Sequence, residues 1–464
     1  MPPADFMDVL LDGLAPDGGL VIPAEIPTVS AEQRESWRNL SYAELAAELV
    51  SLYATDIPRE DIDRLTTAAY DQSLYADPQI VPLTKLDDRI TLVGLSEGPT
   101  MAFKDLAMQF LGQVLPYVLE QKGRTLNILG ATSGDTGSAA EYAFRGANNI
   151  NVFMLSPLGR MSDVQRAQMY TLTDPNIHNI AIEGVFDDCQ NLVKAINNDA
   201  EFKAQYSIGA VNSINFGRIC AQIVYYFWAW LRATDELSGA DRSQAEFTFA
   251  VPSGNFGNIY SGHLARQMGL PIAKLVLATN ENNVLDEFFR TGIYTPRSSE
   301  NTYSTSSPSM DISKASNLER FVRELLGEKD FVTHWSELEA DGTLDLSGYR
   351  ERLSEQYGFV SGTSTHSDRL NTIREVFEAT GVVIDPHTAD GVAVAYRQDS
   401  TATHTLVLET AKPTKFQETV VEALGDRAPE IPREILELLQ QPQLTVSLPN
   451  AEGPLRDYIA QHIL

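Results

Sequence analysis

Cysteine is nearly absent from this 464-residue chain: Cys189 and Cys220 are the only two, and they form no CxxC pair. That excludes a disulfide framework and leaves both thiols as small core side chains. Basic residues are also scarce. The chain has 35 Lys and Arg against 63 Asp and Glu, a formal charge of −28. Nucleic acid, which needs clustered cations to neutralise phosphates, is therefore not an expected partner. The seven histidines are scattered, with no HExxH or paired-ligand spacing, so no metal site is expected. Long apolar runs are missing as well. The most apolar window, Ile223–Leu231 ("IVYYFWAWL"), falls far short of the roughly 20 residues that span a bilayer. The opening "MPPADFMDVLLDGLAPDGG" lacks both a basic n-region and a long apolar h-region, so no signal peptide is expected and the expected location is cytoplasmic.

What is present is the composition of an ordinary soluble protein, 43% hydrophobic and 21% charged, with length for two or three domains. From about residue 90, short apolar runs alternate with helical periodicity. Strands are expected at Thr125–Gly130, Ile150–Leu155, Ile177–Gly184, Glu246–Gly254, Lys274–Asn280 and His404–Thr410. Helices are expected at Lys104–Gln121, Thr136–Gly146, Ser162–Leu172, Asp188–Asn198, Phe216–Ala233, Phe256–Met268 and Thr388–Gln398. Such alternation implies an α/β fold, with helices packed on mainly parallel sheets. Pro116 should kink or shorten the first of these helices. The beginning of the chain has no strand rhythm and reads as helical. The expected division is an N-terminal helical domain at 1–85, a smaller α/β domain at 86–235 and a larger one at 236–464. Thr295–Asn317 is rich in Ser and Thr, a long loop of the kind that carries function in compact enzymes.

Ligands of open α/β sheets bind beyond the carboxyl ends of strands. Two such ends carry unusual turns. One runs through Thr132, Ser133, Gly134, Asp135, Thr136 and Gly137, the other through Ser253, Gly254, Asn255, Phe256, Gly257 and Asn258. Glycines there let the backbone approach an anion, and the following helix start supplies N–H donors. Either turn alone is more often an N-cap. Together with Lys104, isolated after the apolar run "GPTMAF", they make up the parts that a pyridoxal phosphate enzyme needs: a lysine for the aldehyde, a phosphate cradle and a substrate loop. Thr410, at a third strand end, offers a neutral hydroxyl for the ring nitrogen.

Seven segments then point to one family. "GPTMAFKD", "GATSGDTGSAA", "NSINFGRI", "PSGNFGNI", "SPSMDISKASNLER", "IDPHTADGVAVA" and "LETAKPTKF" resemble, in order, the motifs of threonine synthases in the longer variety found in fungi and many bacteria. The resemblance implies a fold-type II pyridoxal 5'-phosphate enzyme, similar to tryptophan synthase β, with two mainly parallel sheets flanked by helices and a helical N-terminal domain. It implies that Lys104 is the Schiff-base lysine and lies with the "SGDTG" loop in the smaller α/β domain. Gly254, Asn255, Phe256, Gly257 and Asn258, in the larger domain, would cup the cofactor phosphate, and Thr410 would face the pyridine nitrogen. Thr132, Ser133, Gly134, Asp135, Thr136 and Gly137 would hold the substrate carboxylate. Arg218 is expected on the substrate phosphate with Asn215 beside it, and Lys415 and Lys412 are second choices. Lys412 replaces a common His of the family, which leaves its role open. His387 and Asp385 are expected to cap a helix.

The implied reaction converts O-phospho-L-homoserine and water to L-threonine and phosphate, the last step of threonine biosynthesis. The alternatives are a lyase that yields 2-oxobutyrate from the same substrate and a serine or threonine dehydratase of the same fold. A non-catalytic cofactor-binding protein would have no use for a substrate loop. The expected partner is this small phosphorylated amino acid, with no nucleic acid and no membrane, and the expected unit is a monomer, with a dimer as the alternative.

Overall fold

The computed structural model describes residues 3–463 except 16, 133, 211–212 and 399–403. Thirteen strands occur among them: β1 Leu83–Lys85, β2 Ile90–Val93, β3 Leu126–Ala131, β4 Ile150–Pro157, β5 Ile177–Ile182, β6 Ile208–Gly209, β7 Phe247–Pro252, β8 Ile272–Thr279, β9 Ile293–Tyr294, β10 Leu344–Asp345, β11 Phe359–Thr363, β12 Thr405–Leu408 and β13 Val446–Leu448. They form a six-stranded sheet in the order β1-β2-β12-β7-β8-β11, a five-stranded sheet β13-β5-β4-β3-β6 and a small β9–β10 ribbon. The five-stranded sheet is parallel throughout. The six-stranded one is parallel except for β1 against β2. β4 and β7 are buried along their whole length, as strands covered by helices on both faces must be.

The six strand runs expected from sequence all form, as do the seven helices, with ends shifted by a few residues. The helix Lys104–Lys122 runs through Pro116 without being shortened. The sheets do not divide at 85/86 and 235/236. β1 and β2 pair into the sheet of the later part of the chain, and β13 returns to the sheet of the earlier part. The N-terminal helices, among them Tyr42–Ser51 with its Ser41/Glu44 capping box, share one continuous apolar core with the helices behind them. Tyr70 Oη donates to the Leu106 carbonyl (3.1 Å), and Trp228 Nε1 donates to that of Val81 (2.8 Å).

The helix Phe216–Ala233, which contains the most apolar window, is buried almost all round. Among the described residues no helix is long and apolar enough to cross a membrane. Both strand-end turns and Lys104 contribute to one cavity, the turns doing so at the carboxyl ends of parallel strands, where ligands of such sheets bind.

Candidate active site

Lys104 is the first residue of its helix, and the segment that carries it is sewn to the end of β12. Phe103 N donates to the Thr410 carbonyl (2.9 Å), and Lys412 N donates to that of Met101 (3.0 Å). The Lys104 side chain is 13% exposed, and its Nζ lies 3.6 Å from Asp135 Oδ2. Burial lowers its pKa, as do the nearby Lys415 and Arg218 cations, and Asp135 only partly opposes them. Burial therefore shifts this amine towards its neutral, nucleophilic form.

The turn after β3 is built around Thr132, whose Oγ1 accepts from Gly134 N and Gly137 N, both at 2.9 Å. Gly134 has φ +143°, and a Cβ there would lie 2.4 Å from the Gln165 carboxamide, so any other residue would be strained and would push Gln165 away. Thr132 therefore shapes the loop from behind, whereas Asp135 and Thr136 line the cavity. Ser133 lies outside the described residues.

Asp135 is the hub. Lys415 Nζ is 2.6 Å from Oδ1, Gln165 Nε2 donates to Oδ1 (3.1 Å) and Ser309 Oγ donates to Oδ2 (2.8 Å). Burial would raise this carboxyl, but Lys415 and Lys104 hold it well below the usual carboxylate range.

After β7 the chain turns through Phe256, a non-glycine residue with φ +64°. Left-handed backbone costs a bulky residue of order 1 kcal/mol. Here that cost is offset by burial of the ring against Phe289, Phe321 and Phe359. A left-handed residue just ahead of a helix start makes a concavity of N–H groups suited to an anion. The helix Gly257–Gln267 begins there. Asn258 accepts from Tyr225 Oη (2.6 Å) and Tyr226 Oη (3.0 Å), which leaves its Nδ2 buried with no partner; the Ser253 hydroxyl is likewise unpaired.

One cavity gathers Lys104, Asp135, Thr136, the Ser253–Asn258 turn, Arg218 and Thr410. Arg218 is 4% exposed, and burial pushes its guanidinium down to about 10. Its Nε and Nη1 have no hydrogen-bond partner. Asn215 does not line this cavity. Both ends of its amide are engaged, with Nδ2 on the Leu10 carbonyl and Oδ1 under Gly217 N, each at 2.9 Å, so it caps the helix that carries Arg218. The second-choice cations are also committed elsewhere. Lys415 sits behind Asp135, and Lys412 pairs with Glu97 and Glu409, which clamps the Thr410 strand end to the loop ahead of Lys104.

Asp385 caps the helix Pro386–Arg397 through His387 N and Thr388 N. Thr388 Oγ1 in turn accepts from Thr410 N (3.1 Å), which fixes the height of the Thr410 hydroxyl. His387 does more than cap. Its Nδ1 faces Asp385 Oδ1 (2.8 Å) and its Nε2 accepts from Ser309 N (3.0 Å), so the Ser-rich segment is tied over the cavity.

The buried, unpaired Ser253, Asn258 and Arg218 donors beside a reactive lysine fit a phosphorylated cofactor and an anionic substrate. Comparison with known proteins agrees. Residues 1–70 match the family model "Threonine synthase N terminus", and residues 388–459 match "Threonine synthase, C-terminal". The chain is 52% identical over 472 residues to a threonine synthase of Corynebacterium glutamicum, covering 99% of this chain and 96% of that one. The chain belongs to the threonine synthase family. Among solved structures, the PLP-bound threonine synthase of Brucella melitensis superposes with a TM-score of 0.93 at 39% identity, covering 100% and 97% of the two chains. The yeast threonine synthase gives 0.91 at 34% identity, covering 98% and 96%. The architecture is that of the fold-type II pyridoxal phosphate enzymes.

Proposed function

We propose that this chain acts as a threonine synthase, converting O-phospho-L-homoserine and water to L-threonine and phosphate. The observation that carries the reading is Arg218: a buried guanidinium with two idle donor nitrogens in the same cavity as Lys104. A substrate without phosphate would leave that desolvated cation uncompensated, which is costly.

When bound, pyridoxal 5'-phosphate supplies an aldehyde for amines and a ring that withdraws electrons from the substrate carbons. The Ser253–Asn258 turn would hold its phosphate through backbone N–H groups, the Ser253 hydroxyl and Asn258 Nδ2. Thr410 would face the ring nitrogen with a hydroxyl, which stabilises a protonated pyridine much less than a carboxylate does. The N-terminus of the helix Asp135–Phe144, with Thr136, would take the substrate carboxylate. Arg218 would take the substrate phosphate in the paired-donor geometry that suits it. The Lys104 amine, whose proton affinity burial lowers, would move protons at Cα and Cβ. Ser309, seated between His387 and Asp135, would exclude stray water.

The test measures phosphate, threonine and 2-oxobutyrate in one reaction. Threonine equal to phosphate is expected; 2-oxobutyrate equal to phosphate would replace the reading with the lyase.

A further inference from the structure

Behind the cavity wall lies a group that is not among the residues lining the cavity. The Lys415 side chain has no exposure at all, and its Nζ lies 2.6 Å from Asp135 Oδ1. Its other contact is the Thr100 carbonyl at 2.8 Å. Thr100 belongs to the loop that delivers Lys104. Its N–H and Oγ1 donate to the buried Asp105 carboxylate at 2.8 and 2.6 Å. Lys415 thus joins the loop of one catalytic element to the first residue of the helix that opens on the substrate.

Burying a lysine in this way is expensive, and one carboxylate beside Lys104 would have sufficed to hold that amine as an ion pair. Two cations instead share one carboxylate, and the sharing is unequal. Asp135 Oδ1 takes Lys415 at 2.6 Å, while Oδ2, already accepting from Ser309, stands 3.6 Å from Lys104. The nearer cation satisfies Asp135.

We propose that Lys415 is a positioning residue that anchors and neutralises Asp135 from behind, so that the carboxylate faces the Lys104 nitrogen without capturing it as an ammonium. The inference rests on the Lys104 role assigned above. The other charged or titratable groups around this nitrogen are Arg218 across the cavity, Asp105 one residue along the helix and His387 through Ser309. None of them contacts Asp135 Oδ1.

Removing a cation behind the carboxylate strengthens its hold on protons at Lys104. In the holoenzyme, the pH midpoint of the visible absorbance of the lysine-bound cofactor should rise by about one unit in Lys415→Met. Lys415→Arg, which keeps the charge, should titrate like wild type. Asp135→Asn/Lys415→Met, which removes both charges, should bring the midpoint back to or below the wild-type value. A folded Lys415→Met with the wild-type midpoint overturns the proposal. If that single variant does not fold, the double variant decides: a raised midpoint, or failure to fold, overturns it. The titration uses no substrate. A wild-type enzyme that made no threonine would therefore strike the proposed activity and leave this test standing.

Discussion

Arg218 shows how a single side chain can declare a ligand. A guanidinium keeps its charge, so a buried one needs acceptors, and two of its donors have none. Losing a charge-assisted contact to phosphate costs about 1.5–3 kcal/mol, or roughly tenfold to over a hundredfold in rate. Arg218→Ala should lower kcat/KM for phosphohomoserine by that factor while cofactor content, read by absorbance, stays near wild type. At this scale the sequence singles out four residues that the fold brings to one cavity, Lys104, Asp135, Arg218 and Thr410, because each stands in a short motif at the end of a strand or the start of a helix. The partners of Asp135 were not. Ser309 comes from 174 residues away and Lys415 from the far end of the chain, and no local pattern announces a contact made by folding. Asn215 misled for the converse reason: an amide beside an arginine in sequence caps the helix instead of sharing the ligand.

Among the elements, the turn after β3 is the most constrained. Gly134→Ala would place a methyl against Gln165 and force an L-residue into a glycine conformation. Gln165 would then leave Asp135. A loss of about 1–3 kcal/mol in thermal or urea unfolding is expected, together with a raised KM for substrate; an unchanged melting curve would show that the turn relaxes freely. The long buried strands and amphipathic helices were readable, since unbroken apolar runs and 3.6-residue periodicity survive any tertiary context. Others were not. β11 reads "FVSGT" and is only partly buried after its first residue, while β6 has two residues and β13 three. Too short for a pattern, they form because a neighbouring strand offers an edge. Pro116 fails to end its helix because packing of the flanking turns outweighs the one lost hydrogen bond.

At the scale of the molecule, the C-terminal helix Glu452–Gln461 closes the five-stranded sheet through Leu455 and Ile459. Beside it, His178 stacks on Phe153 at 4.6 Å and faces the His462 ring at 5.3 Å. Burial, and secondarily His462, lowers the His178 imidazole from 6.5 to about 4. Because the unfolded chain binds this proton more readily, the group's contribution is complete above about pH 6.5 and is lost as pH falls towards 4. In His178→Phe the fall in melting temperature over that window should be shallower than in wild type, by the equivalent of about 1–2 kcal/mol after allowing for solvent screening. Parallel curves would remove His178 as the cause.

The exchange of strands between the two sheets governs when this enzyme can come into being. During synthesis, β5 emerges long before β13, its neighbour on one side, and β2 waits for β12 across more than 300 residues. Until those late segments arrive, both sheets have an open edge, the kind of surface that pairs indiscriminately. A break near residue 235 would separate no finished lobe, because each piece would carry a strand that belongs to the other. Thr410, which meets the segment delivering Lys104, comes even later than β12. Capture of the cofactor is therefore an event of the nearly completed polypeptide, and a stalled ribosome releases no half-working enzyme.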